Sequence, residues 1–389
     1  MILIDASPLQ SEHRYRGPGA YTAGLLEALT RLPSPDDVGW GLLAQTAHDD
    51  DLPLLAALRE RTNVMTVPLH RPRRPRYRAT WQLSTLAVGE ALRRSRPRLY
   101  HATEAQGLVV RRGVRTVATL HDLIPLHAPE VHFPLRRLDQ RLGYAAYLRR
   151  LHDVDAIVAP SAATRHDAVE RLRLDERKIV VIAESVDETL FTPRPLLEIE
   201  AMIVRHGLRR PYFLHVGAST YQKNTRAVLK AFDLFASGAG GAEHALYITG
   251  KWTPQALAAL THDYATLVRK GRLRVLGFVP EDVLPALYSG ADALVYPSLI
   301  EGFGLPVLEA MRCGTAVLTS NRSSLPEVGG AAALYVDPRE ADAIADGMLR
   351  LATDVTLRAD LARRGLVQAV TFSWDRAARE TIRVYEALL

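Results

Sequence analysis

The chain has 389 residues, 48% of them hydrophobic, with one cysteine and a net charge of +6. Length suggests two or three domains, and the apolar content can fill real cores, which excludes a disordered chain. A lone Cys313 excludes an intramolecular disulfide and fits a reducing cytoplasm, and no apolar run is long enough to span a membrane or to act as a signal peptide.

Taken in order, residues 2–4, 40–43, 64–67, 99–100, 114–120, 156–159 and 179–182 read as strands, and residues 21–32 and 161–172 as helices, with Ser161 as N-cap. Such alternation predicts a mostly parallel sheet wrapped by helices, a Rossmann-like α/β domain. After the first strand comes Arg16-Gly17-Pro18-Gly19-Ala20-Tyr21. A glycine loop there is either a tight turn or a place where backbone approaches a phosphate.

Two basic stretches follow. Residues 68–98 hold nine arginines, among them Arg71, Arg73, Arg93 and Arg94, against the single acid Glu90. They read as a solvated loop and helix face, or as an acceptor rim or a contact with anionic lipid headgroups. Residues 134–151 space Leu135, Leu138, Leu142, Ala145 and Leu148 as one helix face, with Arg136, Arg137, Arg141, Arg149 and Arg150 elsewhere. This predicts a core helix with its arginines in water rather than a helix lying on a membrane. Positive charge also suits nucleic acid. Neither zinc-finger spacing nor an RNA-binding aromatic signature is present, so nucleic acid ranks last.

A strand over 117–120 runs into His121-Asp122 at its carboxyl end, where open parallel sheets bind ligands. His101 is a weaker neighbour of the same kind. A change of composition over 186–211 marks the crossing to a second domain. There a strand over 212–216 leads through Gly217 to Gln222-Lys223-Asn224 and a helix. Strand, glycine, lysine and helix N-terminus suggest a diphosphate seat, although the Walker order is absent. Further strands read at 245–248, 274–278, 293–296, 316–318 and 332–336. The stretch over 298–314 then joins a strand to a short helix through Glu301, Gly302, Phe303 and Gly304. Pro306 suits the start of that helix and Gly314 its left-handed end. Cys313 lies inside it with no partner base, so it reads as a buried, inert thiol. Anion donors beside two carboxylates, Glu301 and Glu309, fit a phosphorylated, polyhydroxylated ligand.

The run Glu301-Gly302-Phe303-Gly304-Leu305-Pro306-x-x-Glu309-Ala310-Met311-x-x-Gly314 resembles the signature of the retaining nucleotide-sugar glycosyltransferases of group 1, family 4. The resemblance implies the GT-B fold: two Rossmann-like domains whose parallel sheets face a central cleft. It divides the chain into an acceptor-side domain (1–190), a linker (191–207) and a donor-binding domain (208–374), with a last helix (375–389) returning to the first. Carried over, Glu301 accepts from sugar hydroxyls and Glu309 from ribose hydroxyls. Amides around Gly302, Phe303, Gly304 and Leu305 meet sugar and phosphate. Lys223 neutralises the diphosphate with Gly217 and Gln222 nearby, and Val279, in Gly277-Phe278-Val279-Pro280, meets the base. Gly17 and Gly19 approach the diphosphate from the first domain, where His121 faces the transferred sugar and Asp122 orients it or meets the acceptor.

The resemblance further implies a nucleotide-sugar donor such as a UDP- or GDP-sugar, a glycan or lipid-linked acceptor, no cofactor and no metal. It implies a cytoplasmic enzyme, with peripheral contact to an anionic membrane tolerated by the basic segments. Asp153-Val154-Asp155 looks like the metal-binding Asp-x-Asp of the other large glycosyltransferase fold, but it precedes a strand with no further ligands and reads as structural. The sequence departs from the family at Gln222 and Ala218, where arginine is usual. That keeps open a catalytically silent nucleotide-sugar-binding protein, beside an epimerase or a phosphorylase of related fold.

Overall fold

The computed structural model describes residues 1–10, 17–35, 38–44, 53–60, 64–68, 80–132, 138–217, 220–238 and 243–389. They divide into two units, Met1–Ser185 with Ser373–Leu389, and Val186–Phe372. Residues 191–207 belong to the second unit, where Leu196–His206 is a helix closed by Gly207 at φ 59°.

The first unit holds β1 (Ile2–Asp5), β2 (Trp40–Ala44), β3 (Val64–Pro68), β4 (Leu99–Ala102), β5 (Arg115–Thr119), β6 (Ala156–Ala159) and β7 (Ile179–Val181). They form one sheet in the order β3-β2-β1-β4-β5-β6-β7, with every pairing parallel. β1, β2, β4 and β6 are buried along their whole length. Helices cover both faces of such a sheet, which is why its strands are continuous apolar runs rather than alternating ones.

One apolar layer joins Ile2, Ile4 and Leu42 to Leu25 and Leu29 of the helix Gly17–Leu29 and to Ala377, Ala378 and Tyr385 of the last helix, Trp374–Glu386. The other joins Leu3, Tyr100 and Ile157 to Leu92, Tyr147 and Ala168. Ser161 caps the helix Ala162–Leu172 by accepting from the Thr164 amide.

Two expectations are corrected here. Gly17, Pro18 and Gly19 are the first turn of a helix, not a loop. Proline fits a first turn because its fixed φ is helical and its missing N–H has no partner there anyway, and Thr22 Oγ1 donates to the Pro18 carbonyl at 2.7 Å. Arg16 lies outside the described residues. In the helix Leu138–Arg150, Leu142 is 62% exposed, while Tyr144, Tyr147 and Leu148, with Leu151 just beyond, face the core. The buried stripe is shifted because two tyrosines supply more apolar area than one leucine. Arg150 does not sit in bulk water: its Nη1 donates to Thr85 Oγ1 and to the Leu108 carbonyl. In the other basic stretch, Arg93 and Arg94 clasp Glu90 on the exposed side of the helix Thr80–Ser95. Arg71 to Arg78, Arg136 and Arg137 lie outside the described residues.

The second unit holds β8 (Tyr212–Val216), β9 (Ala245–Thr249), β10 (Leu273–Gly277), β11 (Ala293–Tyr296), β12 (Ala316–Ser320) and β13 (Leu334–Val336). Their order is β10-β9-β8-β11-β12-β13, again all parallel. In each sheet the chain reverses its direction of travel at one place, between β1 and β4 and between β8 and β11. Loops leaving the carboxyl ends there part to opposite faces and open a crevice.

Candidate active site

In the second unit the loops after β8 and β11 meet at that crevice. β8 ends at Val216, and a short turn, Tyr221–Lys223, leads into the helix Thr225–Ser237. Asn224 stands between them in left-handed conformation (φ 56°), which asparagine tolerates. Its amide donates to the carbonyls of Pro297 and Pro338, pinning the turn to the segments after β11 and β13. Gly217 is required by space: a Cβ there would lie 2.8 Å from His215 Nε2 and 3.1 Å from Lys223 Cβ.

Lys223 Nζ donates to Glu301 Oε1 at 2.9 Å, to Oε2 at 3.1 Å, and to the Tyr296 hydroxyl. Tyr296 OH in turn donates to Glu301 Oε1 at 2.8 Å. Burial works against charge on Lys223, but Glu301 and Tyr296 outweigh it and hold the ammonium above its ordinary value. A cation before a helix N-terminus is unfavourable unless an anion lies beside it, and Glu301 is that anion.

The loop carrying Glu301 is held by two serines. Ser323 Oγ donates to the Glu301 carbonyl at 2.7 Å and accepts from its amide at 3.2 Å, while Ser324 Oγ donates to the Phe303 carbonyl at 2.6 Å. Phe303 packs edge-on against Phe372. Gly304 takes φ 118° and opens the helix Leu305–Arg312. It has no side chain to cap that helix, and Pro306 has no N–H; the Val307 amide donates to the Gly304 carbonyl at 2.9 Å. Gly314 follows the helix at φ 72°.

Glu309 accepts from the Tyr288 hydroxyl at 2.6 Å. Burial and the charge of Glu281 outweigh that bond and raise its carboxyl from 4.5 to about 7. Val279 follows β10 and lines a cavity of about 80 Å³ with Leu276, Phe278, Val283 and Leu287. Gln222 lies partly buried in the Tyr221–Lys223 turn; its carbonyl oxygen accepts from the Leu299 amide at 2.9 Å, and its side-chain Oε1 is buried without a hydrogen bond. Ala218 lies outside the described residues. Burial pushes the Cys313 thiol up to about 12, which removes it as a nucleophile at neutral pH.

In the first unit, His121 follows β5. Its Nε2 lies 2.8 Å from the Thr103 carbonyl and its Nδ1 3.3 Å from Glu184 Oε1. Tyr21 meets the ring edge-on at 4.9 Å. Asp122 accepts from the Ile124 amide at 2.9 Å. His101 is fully buried between Tyr385 OH (2.6 Å) and Thr119 Oγ1 (2.8 Å), and burial drives its imidazole down to about 3. It is a neutral core histidine. Asp155 binds the Thr116 amide and Arg115, joining the starts of β5 and β6. Among the described residues no group of three or more histidine, cysteine or acidic side chains gathers as a metal site.

Thus Lys223, Glu301, Glu309 and the Gly302–Leu305 turn lie together in one unit, and His121 and Asp122 lie together in the other. Tyr296, Tyr288 and Glu184 touch these groups without any sequence signal for it. A tyrosine ending a buried strand reads as core, and Glu184 is 63 residues from His121.

Comparison with known proteins matches residues 199–367 to the family model for glycosyl transferases group 1 and residues 39–190 to that for glycosyltransferase family 4. The chain is 35% identical to O-antigen chain mannosyltransferase B of Escherichia coli over 70% of this chain and 71% of that protein. It is 31% identical to the serotype-specific mannosyltransferase WbdA of Escherichia coli over 71% of this chain, but over only 34% of that longer protein. Among solved structures, Anabaena HepE in complex with UDP and glucose superposes with a TM-score of 0.74 at 17% identity, covering 99% of both chains. WaaG, a glycosyltransferase involved in lipopolysaccharide biosynthesis, does so with 0.74 at 13%, again over 99% of both.

Proposed function

This chain belongs to the group 1, family 4 glycosyltransferases of GT-B fold, and from that membership we propose that it moves a hexosyl group, a mannosyl group by its likeness to the O-antigen enzymes, from a nucleoside diphosphate sugar to a hydroxyl of a growing polysaccharide, with retention at the anomeric carbon. The observation that carries this reading is the meeting of Lys223, Tyr296 and Glu301 at the β8/β11 crevice, with Glu309 on the helix that follows the Glu301 loop.

The difficulty in the reaction is a diphosphate that must leave while positive charge grows on the sugar ring. Lys223 offers the departing diphosphate a cation, aided by the uncapped start of the helix Leu305–Arg312. Glu301, freed from Lys223 as the anion arrives, accepts from sugar hydroxyls. Glu309 accepts from the ribose, and the backbone at Val279 meets the base. No resident metal or cofactor enters this account. The reaction is assigned to the cytoplasm, where the reduced, buried Cys313 is at home. No helix among the described residues is long and apolar enough to cross a membrane.

The test is a thermal-shift and turnover panel with GDP-mannose, UDP-glucose and their nucleoside diphosphates on wild type, Lys223→Ala and Glu309→Ala. A ligand at one hundred times its Kd adds about 2.7 kcal/mol of stability. One donor is expected to shift the wild type and neither variant. Shifts of equal size in all three would sink the site; no turnover with any donor and a polysaccharide acceptor would sink the transfer.

A further inference from the structure

The bonding of His121 constrains its protons. Its Nε2 points at the Thr103 carbonyl oxygen, which only accepts, so Nε2 carries a hydrogen. Its Nδ1 points at a carboxylate oxygen, Glu184 Oε1, at 3.3 Å. A bare Nδ1 there would set one lone pair against another inside the protein. A proton must lie between them for the approach to be attractive. The Glu184 side chain is only 5% exposed, and a carboxylate so buried needs a partner of opposite charge.

We propose that Glu184 is a positioning residue for His121: with the Thr103 carbonyl it fixes the ring's orientation and keeps both ring nitrogens protonated at neutral pH. The surrounding groups agree. Burial disfavours the charged ring, yet Glu184, the Thr103 carbonyl and Asp122 together raise its proton affinity above the ordinary histidine value. Tyr21 presents its ring rather than its hydroxyl, which is engaged with Thr119 Oγ1. His101, which interacts electrostatically with His121, is neutral, so it adds no full opposing charge.

Both N–H groups are thus used inside the first unit, and the ring carries an oriented positive charge. A ring in that state cannot remove a proton from an acceptor hydroxyl, so it is not a general base. Its use in the reaction rests on the reading that His121 faces the donor; its protonation does not.

The test is nitrogen NMR of the histidine rings in the full chain, with His121 assigned by its loss in His121→Asn, together with turnover against pH. In the wild type both His121 nitrogens should carry protons at pH 7, and the ring should titrate above the usual histidine range. In Glu184→Gln the amide can donate to a bare Nδ1, so proton affinity should fall about ten- to a thousandfold, as for removal of an adjacent opposite charge. The alkaline limb of turnover should then move to lower pH in step. A wild-type ring with one bare nitrogen at pH 7, or an unchanged titration in Glu184→Gln, would overturn the proposal; the wild-type spectrum decides even if the variant misfolds. A shifted titration with an unmoved turnover profile supports the proton between His121 and Glu184 and overturns instead the placing of His121 at the donor.

Discussion

Lys223 and Glu301, 78 residues apart in sequence, form an ion pair whose side chains are 22% and 10% exposed. The pair occupies the place where a diphosphate and a sugar hydroxyl are expected, so each residue takes the position of the other's future partner. Removing one member leaves a charge with little water to solvate it, which for buried pairs typically costs about 3–5 kcal/mol. Lys223→Met is therefore expected to lose about 3 kcal/mol in urea unfolding. The double variant Lys223→Met/Glu301→Gln should recover most of that stability while still failing to bind donor. A double variant that loses as much as Lys223→Met and Glu301→Gln lose together would mean the pair is not coupled.

Glu309 makes the site's response to pH opposite in two measurements. Its carboxyl is raised from 4.5 to about 7, chiefly by burial, so the folded chain keeps a proton that the unfolded chain releases. Below about pH 4.5 both states hold it and the group has no effect. Between about pH 4.5 and 7 the unfolded state is favoured progressively, a loss on the order of 2–3 kcal/mol. Unfolding at pH 5 and 7.5 should show this slope in the wild type and not in Glu309→Gln. Donor affinity should run the other way, rising through pH 7, because only the carboxylate accepts from both ribose hydroxyls.

Much of this was legible in the sequence, for physical reasons. β6 and β11 are continuous apolar runs, and β1, β4 and β8 are apolar but for one buried polar residue each, because both faces of each sheet are covered, and the glycines and prolines between them mark the turns. Lys223, Glu301 and Glu309 stand out because they follow strand ends at fixed distances from helix starts. Hidden were the groups whose role depends on direction. Tyr296 and Tyr288 count as apolar until the fold turns their hydroxyls onto carboxylates. Glu184 meets His121 only because the fold brings the segment after β7 to the segment that follows β5. Leu142 and Tyr147 sit on helix faces that periodicity alone does not rank, and Gly17 to Gly19 read as a loop because glycine weakens a helix prediction that Pro18 in a first turn permits.

Gly304 is expected to admit no side chain. At φ 118° an alanine is strained, and its Cβ would stand 2.8 Å from Leu325 Cδ2. A residue forced into such a conformation costs about 1–3 kcal/mol. Because Gly304 directly follows the serine-held loop of Glu301, the strain should also displace that loop. Gly304→Ala should therefore lower thermal stability and weaken donor binding together. A destabilised variant with unchanged donor Kd would show that the loop tolerates the shift.

Beyond its apolar packing, the last helix should matter to the first unit through one hydroxyl. Tyr385 OH meets His101 Nδ1 at 2.6 Å, and the chain of contacts continues through His101 Nε2, Thr119 Oγ1 and Tyr21 OH to the ring that abuts His121. All of these groups are buried, so none has water in reserve. Tyr385→Phe keeps the ring packed against Trp40 and removes only the hydroxyl, stranding one nitrogen of a neutral histidine. The expected loss is about 1–3 kcal/mol in equilibrium unfolding, the usual cost of an unsatisfied buried polar group. Adding His101→Phe would remove the stranded nitrogen but also the bond to Thr119, so the double variant should not regain full stability. Because Tyr385 touches neither carboxylate nor lysine of the donor site, donor affinity should be unchanged, and a weakened donor in Tyr385→Phe would show that this buried chain reaches further than its stability role.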